Sequence, residues 1–508
     1  MEKERLSSAE IKKVCDILRR DDWVWAKNYA IEFSRILFLK LFEEIEHVFS
    51  DIAYSKGENY NFIIEKKYQW SSWVHNEEYR ANPEKMLNFI KWKLFPYLKS
   101  LSGDYGIKIA QIFNALVQPK ILSWYNLIDV VDIIDKIDRK DFIDSNLLSH
   151  AYEDILWRMW KEAWWSWEYY TPRPVIKFII NIINPDLWEK IFDPFIWSAW
   201  FLVESFKFLK EKSNWNFLSI KQQKQLMENT FYWQEKLYEW YIFWMMNLIS
   251  HGILKPNIDL TNTFSQDLND IVWKYDIILT NPPFWGKEAK NIYKHYEYPT
   301  SATEWLALQY IMKSLKNGWR AWVVLPNWQI LFGTWLFENI RQKLLEKNKL
   351  KYIVSFPTWI FAQMSTGIKT VCLIFEKWWN TKNIVYYQLN WKYTKKKPLL
   401  FEETKYILED MEKVETENIF DKNLTQQNIE NFRINWKKEN LNFDRWIVSI
   451  EDLKNNHYDI SPKDPFEEKE RALSLGENIA IIKETHKQFE EEFEKLEQCL
   501  KDNDLLKN

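Results

Sequence analysis

Tyr275-Asp276-Ile277-Ile278-Leu279-Thr280-Asn281-Pro282-Pro283-Phe284 is an apolar strand run that ends on two consecutive prolines. Proline has no N–H and a fixed φ, so it cannot continue a central β-ladder. The chain must therefore stop and turn at the strand's carboxyl end. The turn brings the Asn281 side-chain oxygen and the Pro282 carbonyl to the crevice, where both can accept hydrogen bonds from one exocyclic amine. Phe284 adds a face for a planar ring. An Asn-Pro turn alone is common in loops, and its place after a strand gives this one its meaning.

Around this stretch the pattern alternates. Short apolar runs at Lys190–Phe192, Thr230–Tyr232, Arg320–Leu325, Lys351–Phe356 and Thr370–Phe375 are separated by amphipathic segments. Strand–helix alternation predicts an α/β fold with a mostly parallel sheet. Ligands of such folds sit outside the carboxyl ends of the strands. The first 160 residues read differently. Ile11, Val14, Cys15 and Leu18 recur at helical spacing, as do Tyr29, Phe33, Ile36, Leu37 and Leu41, so a helical domain is expected over 1–160. The region 161–400 is expected to carry the α/β domain. Residues 401–508 read as a linker and a long amphipathic helix, with Ile482, Phe489, Phe493, Leu496 and Leu500 forming a heptad-like seam. Such a helix either folds back on its own chain or docks a partner.

A second segment carries chemistry: Phe192-Asp193-Pro194-Phe195-Ile196-Trp197-Ser198-Ala199-Trp200-Phe201-Leu202 follows the first strand and opens a helix. A third is Trp164-Trp165-Ser166-Trp167-Glu168-Tyr169-Tyr170-Thr171-Pro172-Arg173-Pro174. Together with Asn281–Phe284, these resemble motifs I, X and IV of the adenine-N6 DNA methyltransferases that use S-adenosylmethionine (SAM). The order X, I, IV is similar to that of the methylation (M) subunits of type I restriction-modification systems. Asp16-Ile17-Leu18-Arg19 and Tyr458-Asp459-Ile460-Ser461 extend the likeness over most of the chain. The resemblance implies a Rossmann-like domain with a mostly parallel seven-stranded sheet. It implies catalytic roles for Asn281, Pro282, Pro283 and Phe284. It implies cofactor contacts from Glu168, Tyr169, Tyr170, Thr171, Pro172, Arg173, Asp193, Ser198, Ala199 and Trp200. Glu235, after the second strand, is placed for the ribose hydroxyls, and Asn262, after the third, for the adenine of SAM. An acid at the first of these places is, on its own, more often simply solvated.

Glycine is scarce, 9 residues of 508, where soluble proteins average about 7 %. Tryptophan is abundant, at 31 residues. Trp197 and Trp200 stand where the motif I turn has glycine, and Trp164, Trp165 and Trp167 where motif X has it. Trp319, Trp322 and Trp359 follow the same pattern in Asn317–Asn327 and Phe356–Phe361. A tight strand-to-helix turn needs small residues so that backbone can approach a cofactor. The expectation is that the source organism reads UGA as glycine, with Trp70 and Trp157 among the candidates for authentic tryptophan. Literal indoles at Trp197 and Trp200 would fill the cofactor space.

The remaining features bound the function. Cys15, Cys372 and Cys499 form no metal or disulfide spacing, so a reducing, cytoplasmic setting is expected. Met1–Arg5 holds no apolar signal core, and no apolar run reaches membrane length. The 7 histidines form no metal-binding cluster, so no metal is expected. A net charge of -3 argues against a basic nucleic-acid coat but leaves room for a local patch. Lys392–Lys397 is such a run, more simply read as a solvated loop. About 130 residues follow Lys377, too few for a base-reading domain beside a strand or two, a linker and a helix. The resemblance therefore implies double-stranded DNA with a flipped adenine as substrate, a specificity (S) subunit, a second M subunit, and a nuclease/translocase (R) subunit for any cleavage. No G-x-x-x-x-G-K-[ST] loop appears even with Trp counted as Gly, so cleavage is not expected here. The alternatives are a self-contained adenine methyltransferase, a protein-glutamine methyltransferase, and a scaffold whose site has decayed.

Overall fold

A computed structural model describes residues 26–136 and 171–464, apart from 56, 115–122, 197–198, 328–334, 358–359, 361–368, 392–398 and 435–440, together with 12–14 and 16–17. The chain divides into two units, Met1–Pro462 and Lys463–Asn508. The elements below belong to the first. The expected loop at 164–170, the basic run at 392–397 and the seam from Ile482 to Leu500 lie outside the described residues.

The N-terminal region is helical, with helices at Ala26–Ser55, Gly103–Asn114 and Trp124–Asp135. Phe33, Leu37 and Leu41 of the expected stripe are fully buried, as a stripe at helical spacing requires when it faces a core. These helices join the α/β part through polar ties as well as packing. Tyr241 donates to Gln111 at 3.4 Å, and Lys255 pairs with Asp104 at 3.7 Å.

The sheet has nine strands: β1 Ile191–Asp193, β2 Phe231–Glu235, β3 Asn257–Leu260, β4 Tyr275–Thr280, β5 Leu315–Pro326, β6 Asn348–Ser355, β7 Thr370–Lys377, β8 Asn383–Leu389 and β9 Phe443–Ser449. Their order is β3-β2-β1-β4-β5-β7-β6-β8-β9. β1 to β5 are mutually parallel, and β7 runs antiparallel between β5 and β6. All six residues of β4 are buried, with Asp276 held by Lys190 N–H and Lys316 and Thr280 by Asp193 on either side of the apolar Ile277–Leu279 run. Burying each aliphatic side chain there contributes about 1.5–3 kcal/mol.

Two strands exceed the expected seven. β8 adds parallel to β6, with Tyr352 opposite Val385, and β9 closes the edge antiparallel to β8, with Ile384 opposite Val448. β9 lies in the segment expected to be linker and terminal helix. It pairs with β8, the strand before it, across the helices Lys405–Thr416 and Gln426–Phe432, and that pairing leaves no local period to read.

Strand order reverses at β1, which has β2 on one side and β4 on the other. Chain connections leave this point in opposite directions and open a crevice at the carboxyl ends of β1 and β4.

Candidate active site

The carboxyl end of β4 delivers Thr280 and Asn281 to that crevice, and the neighbouring chain holds them. Thr280 Oγ1 donates to Asp193 Oδ1 at 2.6 Å, tying the end of β4 to the end of β1. Asn281 Nδ2 donates to Thr171 Oγ1 at 3.2 Å across 110 residues of sequence. Both partners are buried. The Asn281–Phe284 turn and the end of the 164–174 segment therefore meet, and the hydroxyl of Thr171 sets which end of the Asn281 amide points elsewhere.

The turn after Asn281 is clamped by the start of the Thr303–Ser314 helix. Thr303 Oγ1 donates to the Pro283 carbonyl at 2.9 Å, the Gly286 carbonyl accepts from Thr303 N–H at 3.2 Å, and the Trp285 N–H donates to Glu304. A Cβ at Gly286 would lie 2.7 Å from the Thr303 side chain, so the approach admits only glycine. Burial pushes the Glu304 carboxyl above its usual range, against the opposing pull of the Trp285 N–H. Thr303 and Glu304 were not legible in the sequence. A Thr-Glu pair opening a helix is a common start signal and says nothing about which distant loop it grips.

Beside this turn lies a cavity of about 340 Å³. Its wall is built from the ends of β1 (Pro194, Phe195, Ile196), β2 (Gln234, Glu235, Leu237) and β3 (Thr261, Asn262, Phe264), with Asn281, Pro283 and Thr303 across from them. Trp240 and Trp244 also face it. Burial pushes the Glu235 carboxyl up to about 7, although the backbone N–H groups of Leu237 and Lys236 pull it down. Asn262 accepts from Phe264 N–H at 3.1 Å and reaches Glu288 at 3.4 Å. A larger cleft of about 670 Å³, lined by Lys313, Lys343, Lys347 and Lys377, lies beyond the amino end of β6 and contains none of the motif residues. Among the described residues no cluster of three His, Cys, Asp or Glu could hold a metal.

Other expected contact residues are placed differently. Asp193 is buried, and its carboxylate accepts from Thr280 and from Phe195 N–H rather than facing the cavity. Burial lifts it to about 7 against those two hydrogen bonds. Arg173 pairs with the buried Glu204 at 2.5 Å, and its guanidinium lies 5.1 Å from the Trp200 ring. That pairing satisfies a carboxylate which burial alone would neutralise, and it draws Arg173 away from the cavity. Pro172 caps the Arg173–Ile183 helix. Ala199 has φ 57° at the start of the Trp200–Lys212 helix, and Trp200 is buried against Arg173 and His251. Phe284 is 5 % exposed, with Trp285 edge-on at 6.3 Å. Pro282 is buried and Pro283 exposed. Glu168, Tyr169, Tyr170, Trp197 and Ser198 lie outside the described residues.

A family model described as N-6 DNA Methylase matches residues 143–472, more than half of the chain. The chain belongs to this family. It is 32 % identical over 418 residues to the EcoEI type I restriction enzyme methylase subunit of Escherichia coli, covering 78 % of this chain and 81 % of that one. Against the EcoKI methylase subunit of Escherichia coli strain K12 it is 30 % identical over 386 residues, covering 73 % of this chain and 66 % of that one. Among solved structures, a chain from work on the assembly and conformational transition of a type I restriction-modification system superposes with TM-score 0.69 at 29 % identity, over 99 % of both chains. A chain assigned as a type I modification subunit from Vibrio vulnificus YJ016 gives TM-score 0.75 at 28 % identity, over 89 % of this chain and 94 % of that one. The family assignment accounts for the adenine-methylase likeness of the Asn281–Phe284 turn and for the reversal of strand order beneath it.

Proposed function

We propose that this chain transfers the methyl group of SAM to N6 of adenine in double-stranded DNA, as the methylation subunit of a type I assembly whose S subunit chooses the sequence. The observation that carries this reading is the Asn281–Phe284 turn, fixed by Thr171 and Thr303, on the rim of a cavity walled by the ends of β1, β2 and β3.

The cavity suits a nucleoside with an amino-acid tail. Glu235 offers two acceptor oxygens at the carboxyl end of β2, where ribose hydroxyls donate in nucleotide-binding sheets. Those donations favour the charged carboxylate and lower a pKa that burial has raised. Phe195, Ile196 and Phe264 give apolar walls, and Asn262 supplies polar groups for a base edge. When bound, SAM supplies an electrophilic methyl group on a sulfonium.

The chain's own residues do the rest. Thr171 takes the Asn281 Nδ2–H, so Asn281 Oδ1 is the end presented to the substrate. Oδ1 and the Pro282 carbonyl accept the two N6–H bonds and turn the nitrogen lone pair toward the methyl group. The nitrogen gains positive charge as the new bond forms, and both acceptors stabilise it more than they stabilise the resting base. The adenine must leave the duplex to reach this rim, at a cost of a few kcal/mol. Phe284, buried in this conformation, takes the face of the flipped base once the turn shifts. Residues 401–508 and a second M subunit complete the assembly around the S subunit, and an R subunit adds any cleavage.

Co-expression with the neighbouring specificity gene, followed by sequencing of the host DNA for N6-methyladenine, tests the reading. Methylation at one asymmetric motif only when both chains are present supports it. Methylation by this chain alone supports a self-contained enzyme. Cofactor binding without DNA methylation in either case would leave a protein methyltransferase or a scaffold.

A further inference from the structure

We propose that Trp197, Trp200, Trp244, Trp273, Trp285 and Trp378 are glycines in the functional protein, because the organism that makes it reads the codon UGA as glycine. Backbone geometry supplies the first argument. Trp273 and Trp285 sit at φ 55° and Trp378 at φ 85°. For a bulky L-residue this left-handed region is a genuine outlier, whereas glycine enters it freely. Four of the six described glycines, Gly57, Gly103, Gly252 and Gly318, are used in this way, with positive φ.

Buried indoles supply the second. The Nε1–H groups of Trp200 and Trp244, like those of Trp73, Trp233, Trp322 and Trp446, are buried with no hydrogen-bond acceptor, and placement singles out the first two. Buried tryptophan ordinarily finds a partner for that donor. Two other tryptophans do so: Trp70 donates to Asp135 at 2.7 Å and Trp391 to the Tyr406 hydroxyl at 2.9 Å. The same criterion therefore marks Trp70 and Trp391 as authentic.

Placement supplies the third. Trp197 and Trp200 flank Ala199, which already takes φ 57° in the turn that opens the helix after β1. Trp244 faces the cavity, and Trp285 follows Phe284 directly in the catalytic turn. Trp273 and Trp378 lie elsewhere, stacked 6.5 Å apart, Trp273 lining the lysine-rich cleft, so the left-handed tryptophans mark turns in more than one part of a chain with 9 glycines. With glycine at 244, which lines the cavity, the cavity deepens. This consequence rests on the methyltransferase reading, but the identity of the residues does not.

Peptide mass spectrometry of the protein purified from its own organism decides the identity. The expected peptides are lighter by one indole side chain at 197, 200, 244, 273, 285 and 378, and keep tryptophan at 70 and 391. Tryptophan at 197, 200 and 285 in the native protein overturns the proposal. In parallel, two full-length recombinant chains are compared by calorimetry with SAM: the written chain, and one with the six replaced (Trp197→Gly to Trp378→Gly). Higher thermal stability and tighter SAM binding of the replaced chain are expected, and tighter binding by the written chain counts against the proposal. Glycine in the native peptides with no SAM binding by either chain would leave this inference standing and remove the functional reading. Native tryptophan with SAM binding by the written chain would do the reverse.

Discussion

Thr171→Val removes one oxygen at the position where motif X meets motif IV. Valine keeps the shape of threonine and takes away the acceptor of the Asn281 Nδ2–H, a bond of 3.2 Å between two buried groups. A buried amide donor without a partner costs about 1–3 kcal/mol of stability. The amide relieves that cost by rotating half a turn, which withdraws Oδ1 from the substrate amine and presents Nδ2 instead. At the transition state the amine carries positive charge, and a hydrogen bond to a charged group is worth about 1.5–3 kcal/mol. The turnover rate is therefore expected to fall roughly 10- to 150-fold. The cofactor dissociation constant should stay unchanged, because Glu235, Asn262 and the apolar walls are untouched. Thr171→Ser, which restores the hydroxyl, should recover most of the rate. Single-turnover methyl transfer to a cognate duplex, with calorimetry for SAM, measures both quantities. A Thr171→Val enzyme with a normal rate, or one whose whole defect lies in cofactor affinity, would refute the positioning role.

Two further predictions come from the buried carboxyls. Glu235 has been pushed up to about 7 by burial, so SAM should bind progressively more weakly as pH falls through that value, and Glu235→Gln should flatten this dependence, as read by titration calorimetry between pH 5.5 and 8.5, about one and a half pH units on either side. Asp193 holds its proton to about pH 7 in the fold, whereas an unfolded chain releases it near 3.8. Over that window the native state binds more protons, so stability falls as pH rises, by up to about 4 kcal/mol. Asp193→Asn should remove this slope in urea melts, and an unchanged slope would mean that Asp193 is ionised in the fold.

The centre of the sheet was legible because β1 and β4 are buried along their whole length, which leaves no alternation to misread. A strand or two after Lys377 was expected, but the pairing of β9 with β8 was not legible, since the helices Lys405–Thr416 and Gln426–Phe432 separate them in the chain. In the site, Asn281, Glu235 and Asn262 could be read because each follows a strand, and strand ends in this architecture converge on one crevice. Asp193 and Arg173 could not be placed so well. Their type and position suited a ligand, but a buried hydroxyl at Thr280 and a buried acid at Glu204 claim them, and such long-range pairs have no sequence spacing. Three tryptophans at positive φ would each cost about 1–3 kcal/mol of backbone strain, a cost already visible as a composition with too little glycine.

In the proposed mechanism Asn281 directs the N6 amine of a DNA adenine at the cofactor's methyl group. Its most direct test is methyl transfer from labelled SAM to DNA by the glycine-bearing chain assembled with its specificity subunit, native against Asn281→Ala. Label at adenine N6 is expected with the native chain, and none above background with Asn281→Ala while calorimetry shows SAM still bound. Label on adenine with Asn281→Ala at the native rate, or on protein rather than DNA with the native chain, would contradict it.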